Sequence, residues 1–227
     1  YTWSLWWTKR ALLDPQKELA RLTLMNHPVG LTHPFMLTLV VVNLAALPFS
    51  LVLPPAATYN VQVLLSFVLA GMSMYWLLVA WTGNRRAALL GGFIFAFFPN
   101  KMGHVLGGHL PQITVWPFPL YALFLWRVVR HPCWKNALLA AATLVIASLT
   151  HVIHLAYLTL PITGAVLLTE MLRLRRRFFM RRRVGALFLT FGLAMLVVVP
   201  LLWPTVRQAM QEGSYLHKKG AFNHSTD

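Results

Sequence analysis

From Thr58 to Trp81 the chain reads TYNVQVLLSFVLAGMSMYWLLVAW, without one charged residue. About 20 apolar residues in a row are what an α-helix needs to cross the roughly 30 Å hydrocarbon core of a bilayer. Lipid offers no water to backbone N–H and C=O groups, so a spanning segment must satisfy them within a helix or a closed barrel. The short alternating strands of a barrel are absent. Further apolar runs follow at 87–98, 113–126, 137–172 and 185–203. With 58% hydrophobic residues and a mean hydropathy of +0.61, the chain is too apolar for a soluble domain of its size. The expectation is an all-α polytopic membrane protein with about six transmembrane helices.

Charge orients those helices. Twenty Lys and Arg stand against five Asp and Glu, a formal net charge of +15. In a soluble chain this would suggest a nucleic-acid partner. Here Arg173, Arg175, Arg176, Arg177, Arg181, Arg182 and Arg183 crowd one link between two apolar runs. That pattern fits a cytoplasmic loop against anionic headgroups, so membrane lipid is the expected partner and nucleic acid is not. Placing the basic links 83–86, 127–135 and 173–183 inside leaves 99–111, 150–154 and the C-terminal tail outside. A single cysteine, Cys133, excludes an intrachain disulfide.

Three regions result. Residues 1–57 form an external or interfacial segment, with interfacial helices at about 1–14 (Trp3, Trp6 and Trp7 among Lys9 and Arg10) and 35–53. Charge alone leaves open whether 35–53 spans or lies flat. Residues 58–203 form the transmembrane bundle, in which the long run 137–172 divides near Thr150 to His154. Residues 204–227 are a polar external tail. A start without Met or signal peptide and an end without a closing element suggest a piece of a longer protein.

The polar residues among these runs are the candidates for chemistry. Lys101, His104 and His109 lie between Pro99 and Pro111, a stretch that reads as an external loop. As Lys and His are cationic or donating groups, the three suit phosphate or pyrophosphate. Five-residue spacing does not put both imidazoles on one helix face, and no Cys or acid stands near to complete a metal site. His151 and His154 share a helix face at three-residue spacing. They line a cavity with His104 and His109, offer axial ligands to a tetrapyrrole, or bond to carbonyls at helix ends. Asn60 is a further cavity-lining candidate. No cofactor is fixed by these residues; a divalent metal or a tetrapyrrole stays open. Glu170 is expected in a solvated ion pair with Arg173 and Arg176. A Gly-rich phosphate loop, a GxSxG elbow and paired external carboxylates are all missing, and the catalytic residue is unknown.

Several stretches together resemble the bacterial GT-C superfamily of membrane glycosyltransferases: YTWSLWWTKRAL at 1–12, HPVGLTHPF at 27–35, YNVQVLLSFVLAGMSMYWL at 59–77, TGNRRAALLGGFIFAFFPNKMGHVLGGHL at 82–110 and WPFPLYALFLWR at 116–127. The resemblance implies a large first external loop with interfacial helices, 35–53 lying flat, and location in a bacterial inner membrane. It also implies transfer of a sugar from a polyprenyl-phosphate carrier to an acceptor on the outer face. The catalytic Asp of that family precedes a segment like YTWSLWW, which here would place it before Tyr1. The alternative is a non-catalytic membrane subunit of a larger energy-transducing or pigment- or haem-binding complex, with other membrane subunits as partners.

Overall fold

The computed structural model of the chain describes residues 2–14, 21–22, 31–32, 40–151 and 154–212. α1 (Thr2–Leu13) precedes a two-residue antiparallel pairing of β1 (Arg21–Leu22) with β2 (Leu31–Thr32). α2 (Val40–Val52) and α3 (Pro55–Thr82) follow, then α4 (Arg85–Ala96), α5 (Pro99–Leu106) and the single turn α6 (Leu110–Ile113). The chain continues through α7 (Pro117–Arg130), α8 (Trp134–Thr150), a π-helical turn at Leu155–Thr159, α9 (Leu160–Leu174), a 3-10 turn at Arg175–Phe179, and α10 (Arg181–Glu212).

Among the described residues, four helical segments are long and apolar enough to cross a membrane: Pro55–Thr82, Arg85–Leu106, Leu155–Phe179 and Arg181–Trp203. Only 17–22% of each spanning window is buried within the protein. Leu64, Val68, Met72 and Trp76 on α3, and Phe188, Met195, Leu196 and Trp203 on α10, therefore face outward. So much contiguous apolar surface is stable against lipid and not against water. The chain is thus a helical membrane protein. α8, with 17 residues, is a shorter apolar helix. α2, with 13, is about 20 Å long and does not cross a 30 Å core by itself. It packs on α1, where the Asn43 amide donates to Thr8 Oγ1 at 2.9 Å and Lys9 donates to the Ser50 carbonyl.

α7 occupies the middle, packed against α3, α8, α9 and α10. Apolar residues cover most of the helix, with Leu120, Phe124 and Trp126 half-buried and Arg127 exposed. Tyr121, Leu125, Val128 and Val129 are all fully enclosed. The shared core gathers Leu77, Tyr121, Leu125, Ala141, Leu144, Val166 and Ala194. Two polar ties hold α7 to α9: the Tyr121 and Thr163 hydroxyls at 2.6 Å, and the Arg130–Glu170 pair.

That pair corrects the reading of Glu170. Its carboxylate is buried and takes Arg130 on both oxygens, at 3.0 Å from Nη2 and 2.7 Å from Nε. Three-residue spacing to Arg173 puts the two side chains on adjacent parts of one helix, but the Glu170 carboxylate turns inward to α7 while Arg173 is exposed. Two further boundaries differ from expectation. Residues 99–106 are helix and not loop, because Pro99 sits at the first helical position, where its missing N–H costs nothing and its fixed φ suits the helix. The tail is helical as far as Glu212. Most of 15–34 lies outside the described residues, as do 35–39 and everything past 212.

α3 and α4 pack backbone against backbone at Gly71 and Gly92. A Cβ at Gly92 would lie 2.6 Å from the Gly71 carbonyl oxygen, whereas one at Gly103 would meet nothing within 4 Å. Gly92→Ala is expected to destabilise the protein by about 1–3 kcal/mol through overpacking, and Gly103→Ala to leave it nearly unchanged. Thermal unfolding of both variants in detergent checks the contrast.

Candidate functional site

Pro99, Gly107 and Gly108 build one wall of the site. α5 ends at Gly107, and Gly108 turns the chain back at φ +68°, a conformation costly for any residue with a side chain. The His109 N–H then donates to the His104 carbonyl at 2.9 Å, and the two imidazoles meet Nδ1 to Nδ1 at 3.2 Å. One ring carries the hydrogen and the other the lone pair, so one imidazole donates to the other at this contact. Five-residue spacing does not put these histidines on one helix face. The Gly-Gly turn brings them together, and that dipeptide was the available signal.

The second wall comes from the break after α8. The backbone leaves the helix at His151, and the His154 N–H donates to the His151 carbonyl at 2.9 Å. The imidazoles of His151 and His154 pack at 5.4 Å between centroids, and the Phe118 edge meets His154 at 5.3 Å. Both histidines are buried.

Between the walls lies a cavity of about 480 Å³. Asn100, His104, Gln112 and His154 form its polar part. Met74, Leu77, Phe95, Phe98, Leu158 and Ile162 continue it as an apolar channel that reaches Trp81. Two of the polar atoms are buried and have no protein partner: Gln112 Oε1 and His154 Nδ1. Leaving such groups dry and unpaired costs about 1–3 kcal/mol each, which a ligand or water in the cavity would recover. Gln112 escaped notice in the sequence because nothing in LPQITV marks a glutamine as buried.

Other predicted residues fall elsewhere. Lys101 is fully buried, but its ammonium donates to the Ser66 carbonyl at 2.9 Å and lies 4.2 Å from the Phe67 ring centroid. It is not part of the cavity lining, so the trio expected around a phosphate is divided. Asn60 is exposed on α3 and does not line the cavity either. Arg173, Arg175, Arg176, Arg177, Arg181 and Arg182 are exposed, while Arg183 turns in to donate to the Val129 and Arg177 carbonyls. Trp81, Trp126, Glu170 and Arg173 line a second hollow, at the arginine-bearing end of the bundle. Among the described residues no group of three or more His, Cys, Asp or Glu is arranged to hold a metal.

A lipid-facing bundle with an amphipathic internal cavity defines the class: a helical membrane protein able to take a molecule with a polar and an apolar part. Over residues 43–218 the chain matches the model of the 6-pyruvoyl-tetrahydropterin synthase related domain, described as a membrane protein, and it belongs to that family. This membership corrects the likeness to the GT-C superfamily, for the matching model is not that of a GT-C glycosyltransferase. No curated protein and no solved structure matches the chain.

Two expectations follow. Lys101→Met is expected to leave ligand affinity at the cavity unchanged, measured by thermal shift, because the ammonium is not among the groups lining it. His151 and His154 lie in the break between apolar helices, and burial pushes His154 down to about 4, with the nearby charges of His151 and His104 adding to the effect; burial lowers His151 too. An unfolded histidine binds its proton near pH 6.5, so between that pH and about 4 the unfolded state holds more protons. The contribution of His154 to stability is complete above about pH 6.5 and is lost as pH falls toward 4, and His151 acts in the same direction. Melting temperatures from pH 7 to 5 should decline, and less steeply in His154→Gln.

Proposed function

We propose that this chain is a multi-pass protein of a bacterial plasma membrane that binds a lipid-linked sugar, head at the histidine end of the cavity and tail along its apolar channel. The observation that carries this reading is the pair of buried, unpartnered polar atoms, Gln112 Oε1 and His154 Nδ1, on one cavity. An amide oxygen seeks a donor and an imidazole nitrogen takes either role. Hydroxyls supply both functions, and a phosphate ester accepts from a protonated nitrogen. Phe118 beside His154, with Phe95 and Phe98, adds apolar ring surface against which a sugar ring can pack. The excess of arginine at the opposite end favours that end as the cytoplasmic one.

Recognition is the role these residues support best. Sugar transfer needs a positioned acid or base, and among the described residues no carboxylate lines the cavity. Glu170 is held by Arg130 at the other end of the bundle. That observation favours, as a second reading, a binding subunit that presents its lipid to a partner carrying the reactive group.

The test is binding to purified full-length protein in nanodiscs, with a polyprenyl-phosphate-linked sugar as probe and the free polyprenol as control. The sugar lipid should raise the melting temperature and the polyprenol should not. Gln112→Leu and His154→Phe should each weaken binding roughly tenfold, the worth of a hydrogen bond in a dry site. Equal stabilisation by both lipids, or unchanged affinity in both variants, would overturn the proposal.

A further inference from the structure

We infer that the groove between α3 and α4 is a binding site for one anionic phospholipid, its phosphate on Arg85 and Arg86 and one acyl chain along the groove. This site is separate from the histidine cavity: Phe93 of α4 and Phe97 just after it line the groove, whereas Phe95 and Phe98 line the cavity. Three features carry the inference.

The first is shape. The groove encloses about 680 Å³ between Val68, Met72 and Trp76 on one side and Leu89, Phe93 and Phe97 on the other. Gly71 and Gly92 form part of it, at the point where the two backbones come closest. With no side chains there, the groove is deep enough for a hydrocarbon chain.

The second is length. From Arg85 to Phe97 the helical rise is about 18 Å, and one leaflet contributes roughly 15 Å of hydrocarbon. A lipid held by its phosphate at the arginines would end its chain near the bilayer midplane. The ring cluster of Phe67, Phe93 and Phe97, with centroids 5.1 and 4.9 Å apart, closes the groove at that level.

The third is charge. Arg85 and Arg86 are exposed at the mouth, and among the described residues neither has a carboxylate within ion-pair distance. Arg130 and Arg183 differ, being engaged by Glu170 and by backbone carbonyls. Guanidinium groups suit phosphate through paired N–H donors. A zwitterionic lipid would leave the two positive charges without net compensation. A second copy of the chain in a parallel pair would set arginine against arginine, so charge selects the lipid as occupant.

The experiment is native mass spectrometry of the full chain released from nanodiscs containing phosphatidylglycerol and phosphatidylcholine in equal amounts. Two uncompensated arginines near the surface favour the anionic lipid by roughly 30-fold, so the wild type should retain one phosphatidylglycerol. Arg85→Gln with Arg86→Gln should bring that preference close to one. Val68→Trp fills the groove from an exposed position, so it should release the lipid while circular dichroism and melting temperature stay as in the wild type. Equal retention of the two lipids by the wild type, retention unaffected by either variant, or a dimer in place of the lipid adduct would each overturn the inference.

Discussion

The enclosure of α7 is the arrangement on which the rest of this protein depends. A largely apolar helix gains from burial over most of its surface, and four neighbours supply that burial. The polar groups α7 carries are then removed from water and must be paired within the bundle. Tyr121 meets Thr163 and Arg130 meets Glu170. Both partners lie on α9, so the two polar ties fix the level of α9 along α7 as well as its contact. That register carries the preceding π-helical turn and His154 to the edge of Phe118, near the start of α7. The position of the site therefore depends on packing along the length of α7.

Buried polar groups divide into satisfied and unsatisfied ones, and the division separates structure from function. Lys101 looks like a ligand-binding cation in the sequence, but the Ser66 carbonyl and the Phe67 ring satisfy it inside the bundle. Asn43 is likewise engaged by α1. Gln112 and His154, on one cavity, keep atoms with no protein partner. A fold tolerates such a cost where something else binds. The description of the family, a 6-pyruvoyl-tetrahydropterin synthase related domain and membrane protein, assigns no role to these residues, so the chemistry of these atoms is the better guide to a ligand.

Much of the bundle was legible because lipid imposes a simple code. The uncharged run from Thr58, the arginine links and the break near His151 all have counterparts in the helices observed. The misreadings arose where one residue type serves two structural purposes. Proline at 99 suggested a loop and instead begins a helix. Glu170 beside an arginine block suggested a surface pair, but its partner is Arg130, 40 residues earlier in the chain. Lys101 was grouped with His104 and His109, but its ammonium turns to the Ser66 carbonyl while the Gly-Gly turn brings the two imidazoles together.

The sequence by itself determined that this chain lives in a membrane as helices, and that its arginine block lies in a different connection from His104, His109, His151 and His154. Both follow from local properties: apolar length against the thickness of a bilayer, and charge against its cost in lipid. Only the tertiary structure decided which polar side chains satisfy each other and which face a cavity. Pairings such as Lys101 with Ser66, or Arg130 with Glu170, join residues far apart in the chain. They depend on how the helices stack, and no local pattern encodes that.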